Sequence, residues 1–353
     1  MFWLNALAGA VLLAVLLAWR RPTVRAERRE RFLPALRSGV RYVRHEPAVV
    51  AILVRFGAFV FPAGAVWALL PLIANHQLGL DAGGYGVLFS ALGVGAVCGA
   101  LGLGPVKQRL TSSTILTSAG LAFAAAFLAL AFTETIWQAV PLLVVCGLAW
   151  SASVATVVSE LQLFVPGWVR ARVIAIYLMV FLGIQSVAAP IWELVTGQFG
   201  LRTALVLAGA VGVVTALACS RMPVPDGHSM QRTPVVFWDA PQLQVEPASP
   251  SGPVLVVNRY RVDSQNQAGF VEAMGGLRGS RLRSGASKWS LYQVGEKSGW
   301  FVEQFLVSSW EEHERQHDGR LTVEDRDIEE KVLALTTERG SPEHLLPARR
   351  SAP

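Results

Sequence analysis

Seven long apolar runs separated by short polar segments constrain the fold of this chain more than any other feature. Each run is close to the roughly 20 residues that an α-helix needs to cross the hydrocarbon core of a bilayer. We predict spans over 2–19, 48–74, 86–106, 113–132, 140–164, 173–195 and 201–220. The sequence therefore predicts an all-α polytopic membrane bundle of about seven transmembrane helices.

Composition supports a membrane protein over a soluble enzyme. The 353 residues are 52% hydrophobic and only 16% charged, whereas an ordinary soluble domain has about 25% charged residues. The three cysteines, Cys98, Cys146 and Cys219, lie far apart in apolar runs and lack the spacing of metal ligands. They are expected to be small core residues.

An arginine cluster between Arg20 and Arg44 predicts the orientation of the bundle. It holds nine arginines and two glutamates, and arginine close to a membrane segment stays on the cytoplasmic side. A basic nucleic-acid arm is the alternative, but the flanking apolar runs disfavour it. We therefore expect a lipid bilayer and no nucleic acid as a partner.

The other loops repeat this asymmetry. Basic residues follow the third, fifth and seventh runs, whereas the loops at 75–85 and 133–137 contain no Lys or Arg. The residues that mark the inner side are Lys107, Arg109, Arg170, Arg172 and Arg221. The first run has no basic segment before it and no cleavage site, so it is predicted to be a retained helix with its N-terminus outside and the C-terminus of the chain in the cytoplasm.

The composition changes after Arg221. A proline-rich linker is predicted over 222–252, followed by a small soluble α+β domain over 253–353. Strands are expected at 254–262, 289–294 and 300–308, and helices at 265–277, 310–319 and 323–335. This order indicates a ferredoxin-like sandwich whose last strand is uncertain. Before the linker, the predicted units are a helix at 1–19, a basic loop at 20–46 and a six-helix bundle at 47–221.

Three of the charges inside the predicted spans are candidates for function, because charge within a span is costly and often functional. Arg55 and Glu160 lie at comparable depths from the inner side, and their opposite signs suggest a salt bridge between them. For Arg55, extension of the side chain to the inner surface is an equally good alternative. Glu193 is near the outer end of its span and is either a proton carrier or an interfacial residue.

Glycines at positions 93, 95, 99, 102 and 104 superficially suggest a dinucleotide-binding loop. They lie inside an apolar span without a preceding strand, and Gly95 and Gly99 are four residues apart, a spacing typical of close helix packing. We therefore predict a packing role.

The string HERQH at 313–317 matches a zinc-protease motif, in which His313 and His317 bind the metal and Glu314 is the general base. Many charged neighbours predict an exposed helix, and no third ligand is singled out by spacing. A metal site is therefore disfavoured, and no motif implies a cofactor.

Several segments resemble a known family. The segments are GYGVLFSALGVG at 84–95, LFVPGWVRARV at 163–173, GPVLVV at 252–257, SGASKW at 284–289, SWEEHERQH at 309–317 and RLT at 320–322. They resemble the transmembrane secretion effector branch of the major facilitator superfamily, to which the enterobactin exporters are related. The C-terminal part resembles the dimeric α+β barrels of the antibiotic-biosynthesis monooxygenase type.

The resemblance implies a function. It implies a non-enzymatic efflux transporter of siderophore-like or drug-like molecules in the bacterial inner membrane, coupled to protons. The family has twelve helices, so the first span would correspond to its sixth, and the chain is expected to be truncated and to require the missing half or a homodimer partner. At the position of Glu314 the family usually has Leu, and at the position of Glu193 it usually has a small residue. The resemblance also implies that Arg55 and Glu160 lie on helices that line the substrate path.

A second hypothesis assigns the function to the C-terminal part. In it, the spans are only an anchor for a cytoplasmic α+β domain that binds a ligand or acts as a monooxygenase. Charges retained inside the spans favour the transporter, because an anchor needs none.

Overall fold

The structure is a computed structural model that describes residues 2–19, 32–222, 224, 235 and 252–347. Residues 1–36 form one compact unit and residues 37–353 form a second. The first unit contains helix α1 (Phe2–Ala18), whose described side chains are mostly exposed and apolar, for example Leu17. At 17 residues, α1 is shorter than the candidate spans of the second unit, which have 19 to 33 residues, and its assignment as a seventh span remains a prediction.

Among the described residues of the second unit, six helices are long and apolar enough to cross a membrane. The first is a composite of α3 (Pro47–Ala63), α4 (Ala65–Leu72) and a π-helical turn at Ile73–Gln77. The others are α5 (Ala82–Lys107), α6 (Ser112–Leu130), α7 (Ile136–Phe164), α8 (Gly167–Phe199) and α9 (Leu201–Ser220). All six correspond to predicted spans, so six of the seven are supported by helices of suitable length.

The ends of these helices follow local sequence signals. Asp81 begins α5 because its carboxylate accepts from the Gly84 N–H at 2.9 Å. Thr135 and Gln138 form a reciprocal capping box at the start of α7. Pro62 lies at the last turn of α3, next to the break between α3 and α4, as expected for a residue that cannot donate a backbone hydrogen bond.

Close packing of α5 on α7 explains two of the five glycines. A Cβ on Gly95 would collide with the Val144 carbonyl, and one on Gly99 would lie 2.6 Å from the Leu148 carbonyl oxygen. Gly147 of α7 has the reciprocal contact with Leu92 of α5. By contrast, a Cβ on the glycines at 93, 102 and 104 would meet no atom within 4 Å, so the packing prediction holds for only part of the run.

The segment predicted as a loop over 20–46 contains helix α2 (Phe32–His45) in its described part. Ser38 and Tyr42 are buried one turn apart, while Arg37 and Arg44 are exposed. The apolar residues of α2 have amphipathic spacing, but the prediction of a loop was based on the high arginine content of the segment. The segment 166–172 was also predicted to be a loop, but α8 begins at Gly167, so Arg170 and Arg172 lie on a helix.

The C-terminal region, residues 252–347, contains a small antiparallel sheet with helices. Its elements are β1 (Val254–Arg261), α10 (Gln267–Ser284), β2 (Ala286–Gln293), β3 (Trp300–Val307), α11 (Trp310–Arg315) with a π-helical turn at Gln316–Arg320, α12 (Val323–Ala334), β4 (Glu338–Arg339) and β5 (Glu343–Leu345). The strand order is β2-β3-β1-β4, and β5 also pairs with β1. The uncertain last strand is therefore two short strands.

Alternation along β3 defines the inner face of the sheet. Phe301, Glu303 and Phe305 are buried, and the residues between them are only partly buried. One apolar cluster includes Tyr260 of β1 and Phe270 of α10. Glu303 therefore occupies an inward-facing position that the period-2 pattern would assign to an apolar side chain.

Candidate functional sites

Arg55 is buried at the end of the bundle where α3 and α6 begin and α9 ends. Its guanidinium donates to the hydroxyls of Ser113 and Thr117 on α6, both at 2.7 Å. It also donates to the backbone carbonyls of Ser113 at 2.9 Å and of Met222, just beyond α9, at 2.8 Å. Every acceptor of Arg55 within the described part of the chain is therefore a neutral oxygen, and its positive charge has no acidic partner there.

A narrow cavity adjoins Arg55. It has a volume of ≈ 30 Å³, and its walls include Phe59 on α3, Phe123 on α6 and Gly212 on α9. Ser153 of α7 also lines it, and among the described residues the buried hydroxyl of Ser153 has no hydrogen-bond partner. A space of this size holds one or two water molecules, so the bundle is nearly closed around the charge.

Glu160 lies at the same end of the bundle but belongs to a different network. Its carboxylate accepts from Lys107 Nζ at 3.0 Å and from Ser112 Oγ at 2.7 Å. The predicted Arg55–Glu160 salt bridge is therefore wrong, although both charges are buried as expected. The close packing of α5 on α7 brings Lys107 to Glu160, while Arg55 faces α6 and α9.

The remaining predicted residues on α8 are not grouped with Arg55 or Glu160. Arg172 donates to Ser38 Oγ of α2 at 2.8 Å and Arg170 to the Val165 carbonyl at 3.1 Å. These hydrogen bonds connect the start of α8 to Ser38 of α2 and to Val165. Glu193 is exposed near the other end of the helix.

The histidines of the HERQH string are buried, contrary to the exposed helix that was predicted. His313 and His317 are 1% and 7% exposed and line a cavity of ≈ 380 Å³ in the C-terminal region. Glu314 accepts instead from Trp310 Nε1 at an exposed position. Within the described residues, no group of three or more His, Cys, Asp or Glu side chains is arranged to hold a metal.

A third histidine, His344 of β5, completes the cluster. Its Nε2 lies 3.1 Å from His313 Nε2, and His313 Nδ1 lies 3.3 Å from Gln316 Oε1. Burial, aided by the His344 and Arg281 charges, lowers the pKa of His313 to about 4. Burial likewise lowers the pKa of His317 and of His344, so all three imidazoles are neutral at pH 7.

A buried ionic network lies beside these histidines. Arg281 of α10 lies between Glu303 and Glu329, with N···O distances of 3.5 Å and 3.3 Å. Glu303 also accepts from Asn258, Tyr260 and Trp289 at 2.8–3.0 Å. Two carboxylates therefore compensate the charge of Arg281.

The C-terminal region contacts the bundle at α2 and at the start of α8. Glu312 accepts from Arg320 at 2.7 and 3.0 Å and from Arg41 of α2 at 2.8 Å. The Arg320 guanidinium carbon lies 4.6 Å from the ring centre of Trp168 of α8. Although burial alone would raise it, these arginines hold the pKa of Glu312 below its usual value.

A second ion pair joins the same two parts. Arg283 of α10 lies 3.4 Å from Glu46, between α2 and α3, and 2.8 Å from Asp325 of α12. The interface between the C-terminal region and the bundle therefore consists of largely buried charged groups of both signs. It connects the α11 segment with the end of the bundle where the basic residues lie.

The sequence model of one family, described as transmembrane secretion effector, matches residues 1–351. The chain belongs to the transmembrane secretion effector family. This is a branch of the major facilitator superfamily, so the chain is a multi-pass membrane protein of the secretion or efflux type. A search of curated proteins finds no match to the chain.

Several residues of these sites were missed from the sequence of this secretion effector. Ser113 and Thr117 are one turn apart at the start of α6, which is a readable signal for a polar stripe on a span. Glu303 alternates with Phe301 and Phe305 and could also have been noticed. His344 lies far from the HERQH string in sequence, and only the fold brings it there.

Proposed function

We propose that this secretion effector exports small organic molecules, siderophore-like or drug-like, across the bacterial inner membrane by alternating access driven by protons. The observation that carries the proposal is the buried charge of Arg55 at the wall of a narrow cavity, where its acceptors among the described residues are all neutral oxygens. A membrane anchor needs no such charge, and a charge at this depth marks a substrate or ion pathway. Arg55 would bind an anionic group of the substrate when the cavity opens.

Charge distribution supports an orientation. Lys107, Arg109 and Arg221 cluster at the end of the bundle that holds Arg55 and Glu160, and we assign this end to the cytoplasm. The C-terminal region contacts α2 and α8 at the same end, so we also assign it to the cytoplasm. If α1 is a seventh span, the N-terminus lies outside.

The coupling proton is assigned to Glu160, with Glu193 as the second candidate. The Glu160 carboxylate is 2% exposed and pairs with Lys107, which ends α5. Movement of α5 during transport would separate the two charges, and a buried carboxylate without its cation binds a proton. Proton binding would thus be linked to the conformational change.

Transport by this fold uses a site between two bundles. The six spans formed by α3–α9 would supply one side. The other side would come from a second bundle, which lies on the same polypeptide, on a separate polypeptide or on a second copy of this chain. We further infer that the C-terminal region is a ferredoxin-like sandwich, a proposal supported by its strand order β2-β3-β1-β4. The boundaries of the units at 1–19, 20–46, 47–221, 222–252 and 253–353 also remain proposals.

Efflux from intact cells tests the proposal. A strain lacking the gene is complemented with the full-length protein or with Arg55→Ala, and retention of fluorescent anionic and neutral drugs is measured before and after the proton gradient is collapsed. Arg109→Ala is the matched control, because Arg109 is an exposed arginine at the same end of the bundle. We expect Arg55→Ala to slow efflux at least tenfold and Arg109→Ala to leave it unchanged. Equal efflux by both variants would refute the role of Arg55.

A further inference from the structure

The histidine-lined cavity of the C-terminal region is a second candidate binding site. Its volume of ≈ 380 Å³ is within the range of small-molecule pockets, about 300–1,000 Å³. Polar walls come from Asn258, Arg281 and the three histidines, and apolar walls from Val256, Phe305 and Pro342. The cavity therefore has an apolar part and a polar part, as small-molecule sites do.

Asn258 presents an unused acceptor to this cavity. The side chain is 2% exposed, and its Nδ2 donates to Glu303 Oε2 at 2.8 Å. Its Oδ1 has no hydrogen-bond partner among the described residues. A buried acceptor without a partner is costly, and a ligand that donates a hydrogen bond would satisfy it.

The charges around the cavity distinguish an anion from a cation. The charged side chains that line the cavity are Arg281, Arg339 and Glu329, so its wall holds two cations and one carboxylate beside the histidines. That carboxylate is already engaged, since Glu329 pairs with Arg281 at 3.3 Å and with Arg339 at 3.0 Å. An excess of cations in the wall disfavours a metal cation and favours a carboxylate.

We propose that this cavity binds a small hydroxylated organic acid. Its carboxylate would lie against Arg281 and the imidazole N–H groups, its hydroxyl would donate to Asn258 Oδ1, and its hydrocarbon part would contact Val256 and Phe305. This site is separate from the transport path near Arg55, so loss of either activity is distinguishable from loss of the other.

Calorimetry on the full chain in detergent tests the site. The probes are 4-hydroxybenzoate, benzoate and 4-hydroxybenzamide, which share a ring and differ in charge or hydroxyl. We expect 4-hydroxybenzoate to bind at least fivefold more tightly than benzoate, because only it can donate to Asn258, and the neutral amide to bind at least tenfold more weakly than 4-hydroxybenzoate. No binding of either acid up to 10 mM, or equal binding of acid and amide, would overturn the proposal.

Two variants locate the binding. Ser341→Trp places a large ring at an exposed cavity wall without changing charge, and His344→Phe removes one imidazole from a half-buried position. Both should weaken 4-hydroxybenzoate binding at least fivefold, whereas His76→Phe, at an exposed histidine outside the C-terminal region, should not. Unchanged affinity in both variants would place the ligand elsewhere and overturn the proposal.

Competition with Zn²⁺ tests the alternative of a metal site. Displacement of the acid by Zn²⁺ in the unmodified chain but not in His344→Phe would make the cavity a metal site and likewise overturn the proposal.

Discussion

Two of the buried arginines of the described residues, Arg55 in the bundle and Arg281 in the C-terminal region, are held in different ways. Arg281 lies between the carboxylates of Glu303 and Glu329. Arg55 donates four hydrogen bonds, all to hydroxyl or carbonyl oxygens. Arg281 thus has acidic partners, whereas Arg55 has none among the described residues.

This difference predicts different consequences for the loss of each arginine. A compensated ion network fixes a unique arrangement, and removal of one member leaves an uncompensated buried charge. A charge held by neutral dipoles is positioned but not neutralised, so it can still attract an anion. We therefore expect loss of Arg281 to affect stability and loss of Arg55 to affect transport.

The largest effect is expected from Arg281→Met. This change leaves Glu303 buried without its cation and should destabilise the C-terminal region by about 3–5 kcal/mol. Hydrogen exchange of the β1 and β3 amides in the full chain measures this loss. In the double variant Arg281→Met/Glu303→Gln, the β1 and β3 amides should regain most of their protection from exchange. If the double variant is as unstable as Arg281→Met, the packing of Arg281 and not its charge stabilises the region.

Acidification should destabilise the C-terminal region next. The pKa of His313 is lowered to about 4 by burial, so below pH 6.5 the unfolded chain binds a proton that the folded chain does not. Stability is therefore lost as the pH falls from 6.5 to 4, by roughly 3 kcal/mol from His313 alone. The charged and titratable groups around His313 are His317, His344, Arg281, Glu329 and Arg339.

Hydrogen exchange of the same amides at pH 4.5 and 7, corrected for the intrinsic rate, measures this effect. His313→Gln should reduce the difference between the two pH values by about a third, because His317 and His344 also have lowered pKa values. An unchanged difference would assign the acid sensitivity to another group.

Glu312→Gln should weaken the contact between the C-terminal region and the bundle. It removes the charge that accepts hydrogen bonds from Arg320 and Arg41, and bonds to charged groups contribute about 1.5–3 kcal/mol. Faster hydrogen exchange of the α2 amides would report the loss. Glu311→Gln is the matched control, since Glu311 pairs only with Arg315 one turn away; equal effects of the two variants would contradict the assigned interface.

The smallest effect is expected from Ser113→Ala. Arg55 loses one hydroxyl acceptor but keeps two carbonyls and Thr117, so the bundle should lose about 1 kcal/mol. Thermal stability in detergent should fall slightly relative to Ser118→Ala, whose hydroxyl donates within α6 to Ile115. A loss of several kcal/mol would mean that the Arg55 network is structural after all.

The six long helices could be predicted because a membrane span requires only a long enough run of apolar residues. Such a run is read directly from consecutive positions in the sequence. The sequence did not predict the partners of Arg55 and Glu160, because depth in the membrane says nothing about which face of a helix a charge occupies. The close packing of α5 on α7 decides that Glu160 meets Lys107. Similarly, α2 was missed because composition, not spacing, dominated the 20–46 segment.

In the C-terminal region, alternation predicted β1, β2 and β3 to within a few residues. The HERQH string led to a wrong expectation of exposure, because its charged neighbours Glu312 and Arg320 are themselves buried by mutual pairing and by Arg41. Charge near a motif therefore indicates solvent only when the charges have no partners. Those partners come from other elements and were not visible in the local sequence.

The most direct test of the account compares Arg55→Met with Arg281→Met in the full chain, with transport and hydrogen exchange measured on each. We predict that Arg55→Met loses efflux while the α3 and α6 amides keep their protection, and that Arg281→Met loses protection of β1 and β3. Full efflux by Arg55→Met, or unfolding of α3 and α6 in it, would contradict the claim that the uncompensated charge serves transport.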